Sequence, residues 1–318
     1  MVTAACSGSG GSQNESGAGE VDPSGGLKSG YPLPVAGAHF DSTQSVLTSD
    51  VMWMSMVFGT LMRQRADGTI QPRMAADAEV VDPHTVKSSP RGDVLRRCDV
   101  RCAGGADEFN AGPDPGDASR EGRNGSGMKA LEGVNVVDPL TITAHLNAPI
   151  AGQFMTELSQ RGGAIVSPKQ AAEAPDQIGV SPAEAGSFAL VTNTAQQLLS
   201  FRKNPGIWDS EGVQLGGVDI INTRTGPQQA NGLLAGNLDW ASYVAVDTAD
   251  RVKTDGQFAT YVSTTYNVEL MMRAGRAPFD NVKVRQAVQQ GIDRERYAQL
   301  AYRGYTEPAY SFFRVRAT

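Results

Sequence analysis

Three cysteines and three histidines bound the metal and thiol chemistry open to this chain. Cys6, Cys98 and Cys102 are odd in number, so they cannot make a self-contained disulfide framework. Cys98 and Cys102 are spaced Cys-x3-Cys without a second pair, a weak metal signature. His39, His84 and His145 lie far apart, with no pair at the helical spacing of metal ligands. No Gly-x-Ser-x-Gly elbow presents a nucleophile. Neither Gly-x-Gly-x-x-Gly nor a Walker loop is there to cradle phosphate, and a lone Arg91-Gly92-Asp93 triplet carries little. Carboxylates are scattered, so spacing nominates no catalytic pair. What remains is aromatic: Trp53, Trp208 and Trp240 suit either a packed core or a ligand-stacking platform. Trp53 and Trp208 read as core, while Trp240, just after a helix and at a strand start, is placed for a cleft. With no catalytic residue and no metal or cofactor site nominated, binding is favoured over catalysis.

The elements that must position such residues can be read next. Twenty-eight basic against 34 acidic side chains leave a net charge of −6, which argues against a nucleic-acid partner. The longest apolar stretch, residues 51–62, is broken by Ser55, Gly59 and Thr60 and falls short of the ~20 residues of a membrane span. Ser49 is placed to cap a helix with Trp53, Met54, Val57, Phe58 and Leu61 on its apolar positions. Asp67-Gly68 marks a tight turn. Glu79 to Val86 and Asn135 to Ile142 share the pattern Val-Val-Asp-Pro followed by a β-branched run, two hairpins that read as unrelated users of one turn recipe. The second continues as a strand, alternating Ile142, Ala144 and Leu146 with polar residues. The first breaks off after Val86, and 87–128 lacks any sustained period, which predicts a disordered or non-native stretch. Strands are expected at 198–201 and 218–221. A helix opens at Pro227 and stops at Gly236. A later one carries Val284, Ala287, Val288, Gly291 and Ile292, capped by Asp280 or Asn281, and Asp293 caps another through Tyr302. This mixture predicts a multi-lobed α/β protein.

Several stretches, in this order and spacing, resemble one family. Arg202-Lys-Asn-Pro-Gly-Ile-Trp208, Leu215-Gly-Gly-Val-Asp-Ile220, Leu233-Leu-Ala-Gly-Asn-Leu-Asp239 and Ala277-Pro-Phe-Asp-Asn-Val-Lys-Val-Arg-Gln-Ala287 are similar to landmarks of the extracellular solute-binding proteins of family 5, the peptide- and nickel-type receptors of ABC importers. The resemblance covers about residues 30–86 and 130–313. It implies a periplasmic-binding-protein-like α/β fold (type II, class C) of two lobes with a small extra domain. The implied division is a tether over 1–30, a first lobe over 31–50 and 179–265, the extra domain over 51–178, and the start of the last lobe over 266–318. The implied partners are a peptide or other small solute and an ABC permease with its ATPase subunits. Residues 1–6, with small residues before Cys6 and a Gly/Ser-rich tether after it, resemble a lipoprotein cleavage site. Cys6 is accordingly expected to carry a lipid that holds the protein on the outer face of the membrane.

This chain departs from the family in two places. The cues for a strand, loop and helix are missing over 87–128, as a shifted reading frame would produce, and the last lobe is incomplete. Impaired folding and little or no ligand binding are therefore expected of the chain alone. Near the hinge, Arg273 stands where the family commonly has Asn; it reads either as a partner for an anionic ligand group or as an exposed structural side chain. Met271 and Met272 read either as packing or as adaptable cleft lining. Alternatives to a peptide receptor are a receptor for nickel or another solute, an extracellular hydrolase, and a truncated product without function.

Overall fold

The computed structural model describes residues 2–6, 24–41, 48–65, 67–90, 130–138, 141–183, 186–207, 212–262 and 268–310. Trp208, Cys98, Cys102, Arg91-Gly92-Asp93 and most of the aperiodic stretch lie outside them. In chain order the regular elements are β1 (Val2–Cys6), β2 (Gly26–Tyr31), α1 (Thr48–Val57), β3 (Gly59–Thr60), β4 (Met62–Gln64), β5 (Ile70–Pro72), β6 (Ala75–Asp82) and β7 (Thr85–Pro90). Then come β8 (Leu131–Asp138), β9 (Thr141–Leu146), α2 (Ala151–Glu157), β10 (Ala164–Ile165), α3 (Pro168–Glu173), β11 (Phe188–Thr194), β12 (Leu198–Lys203) and β13 (Gly217–Asn222). The chain closes with α4 (Gly226–Leu234), β14 (Trp240–Ala241), α5 (Val246–Asp255), β15 (Phe258–Val262), α6 (Val282–Gly291) and α7 (Arg294–Tyr302). They fall into two compact units, one holding 1–17, 27–32 and 221–318, the other 18–26 and 33–220. These bounds differ from the lobes expected from the resemblance.

The larger unit contains an antiparallel four-stranded sheet in the order β6-β7-β9-β8. Its second hairpin alternates as expected, with Ile142, Ala144 and Leu146 buried. Its first hairpin does not break off at Val86: β7 runs on to Pro90. Ser88 takes the buried position that an aliphatic residue was expected to fill. Its hydroxyl donates to the Asp77 carbonyl at 3.4 Å, so a small polar residue sits in the core without an unpaired group. α2 covers this sheet with Ala151, Phe154 and Leu158, all buried. The two hairpins also share one register at an interval of 56 residues, Ala75 corresponding to Leu131. Ala75↔Pro90, Val80↔Val86 and Asp82↔Thr85 recur as Leu131↔Leu146, Val136↔Ile142 and Asp138↔Thr141, with both register shifts at matching steps. That correspondence is closer than a shared turn recipe requires.

Elsewhere in this unit, Asp67-Gly68 makes the expected turn between β4 and β5, with Gly68 at φ +88°. The helix near Ser49 forms too, starting at Thr48, with Trp53 fully buried. β12 lies between β11 and β13. Across β12 and β13 the guanidinium of Arg202 donates to Asp219 at 2.7 Å, and Ser200 donates to the same oxygen at 2.6 Å. Gly217 makes this possible: a Cβ there would stand 2.7 Å from the Phe201 carbonyl and 2.9 Å from Arg202 Cδ.

The smaller unit is built on strands ordered β2-β14-β1-β15. β2 and β14 run parallel, while β1 runs antiparallel to both β14 and β15. α4 and α5 pack on it through Ala230, Leu233, Leu238, Val252 and Phe258. α4 starts with a full capping box between Thr225 and Gln228, Pro227 in its first turn and Gly236 at φ +71° beyond its end, as its sequence predicts. Asn281 caps α6 and Asp293 caps α7. Residues 268–281 reach α6 without a regular strand.

Candidate functional site

In open sheets with parallel strands, the loops at the carboxyl ends of the strands converge on one edge, and ligands bind there. In the smaller unit those ends belong to β2 and β14, paired through Trp240↔Ser29 and Ala241↔Gly30. β2 ends on Tyr31, which is buried. β14 leads into Ser242 and Tyr243. The Ser242 amide donates to the Gly30 carbonyl at 3.0 Å, which carries the chain on from the strand. Its carbonyl accepts from the buried Gln229 amide of α4 at 2.8 Å. Tyr243 then turns into the left-handed region at φ +58°. That conformation is rare for a side chain with a Cβ, and such strain gathers at functional sites. It leaves the Tyr243 ring 45% exposed, edge-on to Tyr31 with centroids 5.2 Å apart.

The loop before α4 belongs to the same neighbourhood. The Thr223 amide donates to the Tyr31 carbonyl at 3.1 Å. Its buried hydroxyl has no hydrogen-bond partner among the described residues. A Cβ on Gly30 would stand 2.8 Å from Leu238 Cδ1 and 2.9 Å from that hydroxyl, so glycine lets the loop lie directly on β2. Two residues on, Thr225 starts α4. The edge thus offers one exposed aromatic ring, one buried ring behind it, the Ser242 hydroxyl and main-chain groups. Such a set can stack on a flat or apolar side chain and hydrogen-bond to amides; it carries no acid–base or nucleophilic constellation.

Trp240, expected in a cleft, is half-buried in β14. Its indole nitrogen donates to Ser242 Oγ at 3.0 Å, and its ring stacks on Tyr261 at 6.2 Å and 19°. It therefore supports the Ser242–Tyr243 loop from beneath. Met271 is 84% exposed, Met272 half-buried and Arg273 exposed, all on the irregular 268–281 segment. Among the described residues, no hydrogen bond or ion pair joins Met271, Met272 or Arg273 to Trp240. Cys6 closes β1 and stands opposite Phe258. Tyr243 and Thr223 were not nominated from the sequence. A positive φ on a tyrosine has no sequence signature, and Thr223 resembles any strand-end threonine.

A charged cluster ties α5 to the residues after α7. Asp250 of α5 accepts from Arg303 at 2.7 Å and from the Tyr305 hydroxyl at 2.9 Å. Arg303, and then Tyr305, hold its carboxyl below the ordinary range. Burial first, and Asp250 second, push the Tyr305 phenol up. Among the described residues no three His, Cys, Asp or Glu side chains gather as a metal site. No described helix is long and apolar enough to cross a membrane.

A family model described as bacterial extracellular solute-binding proteins, family 5 Middle, matches residues 108–316. The glutathione-binding protein GsiB of Salmonella paratyphi A is 25% identical over 182 residues, 57% of this chain and 35% of its own length. Its Escherichia coli K12 counterpart is 24% identical over 192 residues, with the same coverage. Among solved structures, the periplasmic binding protein DppA of Helicobacter pylori with the peptide STSA aligns at TM-score 0.69 and 18% identity. It covers 88% of this chain and 59% of that one. MoaA of A. tumefaciens with mannopinic acid aligns at 0.70 and 20%, covering 88% and 57%. AppA of Bacillus subtilis with a nonapeptide aligns at 0.68 and 14%, covering 90% and 57%. The fold is thus the α/β fold of the periplasmic binding proteins. The chain spans about a third of the length of the curated relatives and under two-thirds of the solved ones.

Proposed function

Because the chain belongs to the bacterial extracellular solute-binding proteins of family 5, we propose that it is the substrate-binding component of an ABC importer. It takes a peptide or other small solute outside the cell and delivers it to a permease with its ATPase subunits. The family match over 108–316 carries this reading. Peptide is favoured as the ligand class because relatives are named for glutathione and solved neighbours for bound peptides. The site chemistry agrees: Tyr243 offers a face for a side chain, and the Ser242 hydroxyl with the main chain beside it suits amides. Trp240 props the loop, and Met271, Met272 and Arg273 are further ligand-contact candidates. Cys6 is the proposed lipid anchor on the membrane's outer face, with mass spectrometry of Cys6 as its test.

The groups placed at this edge form a small contact set, so weak affinity is expected. Titration with glutathione and peptides of two to nine residues, followed by tryptophan fluorescence, tests this. Saturable binding near millimolar Kd is expected, roughly −4 kcal/mol, lost in Tyr243→Ala. Micromolar binding would overturn that expectation. No saturable response up to about 10 mM, or one unchanged in Tyr243→Ala, would overturn the placement of the site.

A further inference from the structure

Ser242, the residue that follows β14, is held through three of its polar groups. Its amide donates to the Gly30 carbonyl at 3.0 Å, and its carbonyl accepts from the Gln229 side chain at 2.8 Å. Its hydroxyl oxygen accepts from the Trp240 indole nitrogen at 3.0 Å. A serine hydroxyl has one proton to give as well as lone pairs to offer. Among the described residues, no acceptor takes that proton.

Trp240 sets the sense of this group. An indole N–H only donates, so the hydroxyl is the acceptor in their bond and its proton turns away from the indole nitrogen. Neither partner is free to rearrange. The indole is stacked on Tyr261, and the Ser242 main chain is pinned by Gly30 and Gln229. Accepting one hydrogen bond also makes a hydroxyl the stronger donor in the next. The result is a prearranged donor on a half-buried residue, next in sequence to the exposed Tyr243 ring.

We infer, on the reading of this edge as the solute site, that Ser242 is a specificity-determining residue. It donates to an acceptor oxygen of the solute, a peptide carbonyl or a carboxylate, carried on the same amino-acid residue whose side chain lies on Tyr243. Trp240 is a positioning residue that acts through Ser242. A solute with an N–H at that point leaves the serine proton unpaired and binds less well.

NMR titration of the full chain with the tripeptide Gly-Phe-Gly and with its C-terminal amide tests this. Ser242→Ala should weaken binding roughly two- to tenfold, while Ser242→Thr, which keeps the donor, should bind as the unsubstituted chain does. A loss equal for both peptides identifies a main-chain carbonyl as the acceptor; a loss confined to the free acid identifies the carboxylate. Trp240→Phe should weaken binding about threefold when Ser242 is present and no further in Ser242→Ala, the non-additivity of two residues that act as one. Unchanged affinity in Ser242→Ala overturns the inference. So does a loss that Ser242→Thr shares, or a Trp240→Phe loss that persists in Ser242→Ala. Absence of binding to either peptide, or binding unchanged in Tyr243→Ala, overturns the placement of the site itself and this inference with it.

Discussion

Thr223→Val should stabilise the protein, against the usual sign of core substitutions. The threonine is 6% exposed and its hydroxyl has no partner among the described residues. A Cβ built on Gly30 would stand 2.9 Å from this hydroxyl and 2.8 Å from Leu238 Cδ1. An unpaired buried hydroxyl gives up its hydration for nothing, which costs about 1–3 kcal/mol, while an apolar group of the same shape avoids the loss. Valine keeps the β-branch suited to a strand end, and the backbone bond from residue 223 to the Tyr31 carbonyl is untouched. The expected gain is about 1 kcal/mol after side-chain adjustment, or roughly 1–2 °C in melting temperature for a chain of this size. Urea unfolding followed by circular dichroism should show a higher midpoint at unchanged slope. Thr223→Ser keeps the hydroxyl and loses the methyl, and should lower the stability by about 1 kcal/mol. A lower midpoint for Thr223→Val would show that the hydroxyl is hydrogen-bonded in solution and refute the reasoning.

Phe154 is fully buried against the four-stranded sheet, so Phe154→Ala should cost about 3–5 kcal/mol, read as faster amide exchange across β6 to β9. Asp250 is held below the ordinary carboxylate range by Arg303 and Tyr305. Its contribution is therefore complete above the unfolded value of about 3.9 and fades as pH falls through the lower folded value. Hydrogen exchange at Arg303 and Tyr305 should accelerate across that acid window, and Asp250→Asn should remove the pH dependence; a retained dependence would assign it to another group.

What the sequence displayed were the features written in local chemistry. Asn281, Asp293, Pro227 and Gly236 announced helix ends because capping depends on a few residues in a row. The 142–146 strand was legible because its buried side chains alternate as aliphatics. β7 was misread beyond Val86 because burial there falls to Ser88, whose fitness depends on a carbonyl across the hairpin. The shared register of the two hairpins was missed for a related reason: Ala75 and Leu131, or Glu79 and Asn135, hold matching places but differ in side chain. The family landmarks pointed to the fold, yet Tyr243 and Thr223 became visible only with backbone angles and neighbours in hand.

The strand formed by Val2–Cys6 has a consequence for secretion. It is the only described backbone partner of β15, which lies at the end of its sheet. A peptidase cutting ahead of Cys6 would carry off four of the five residues and leave Phe258–Val262 bare on both sides. Unpaired strands of this kind recruit other chains, and the exposed Tyr261 and Val262 would add stickiness. Maturation would then bring an aggregation hazard along with its membrane tether, unless another extended segment takes the vacated place in the sheet.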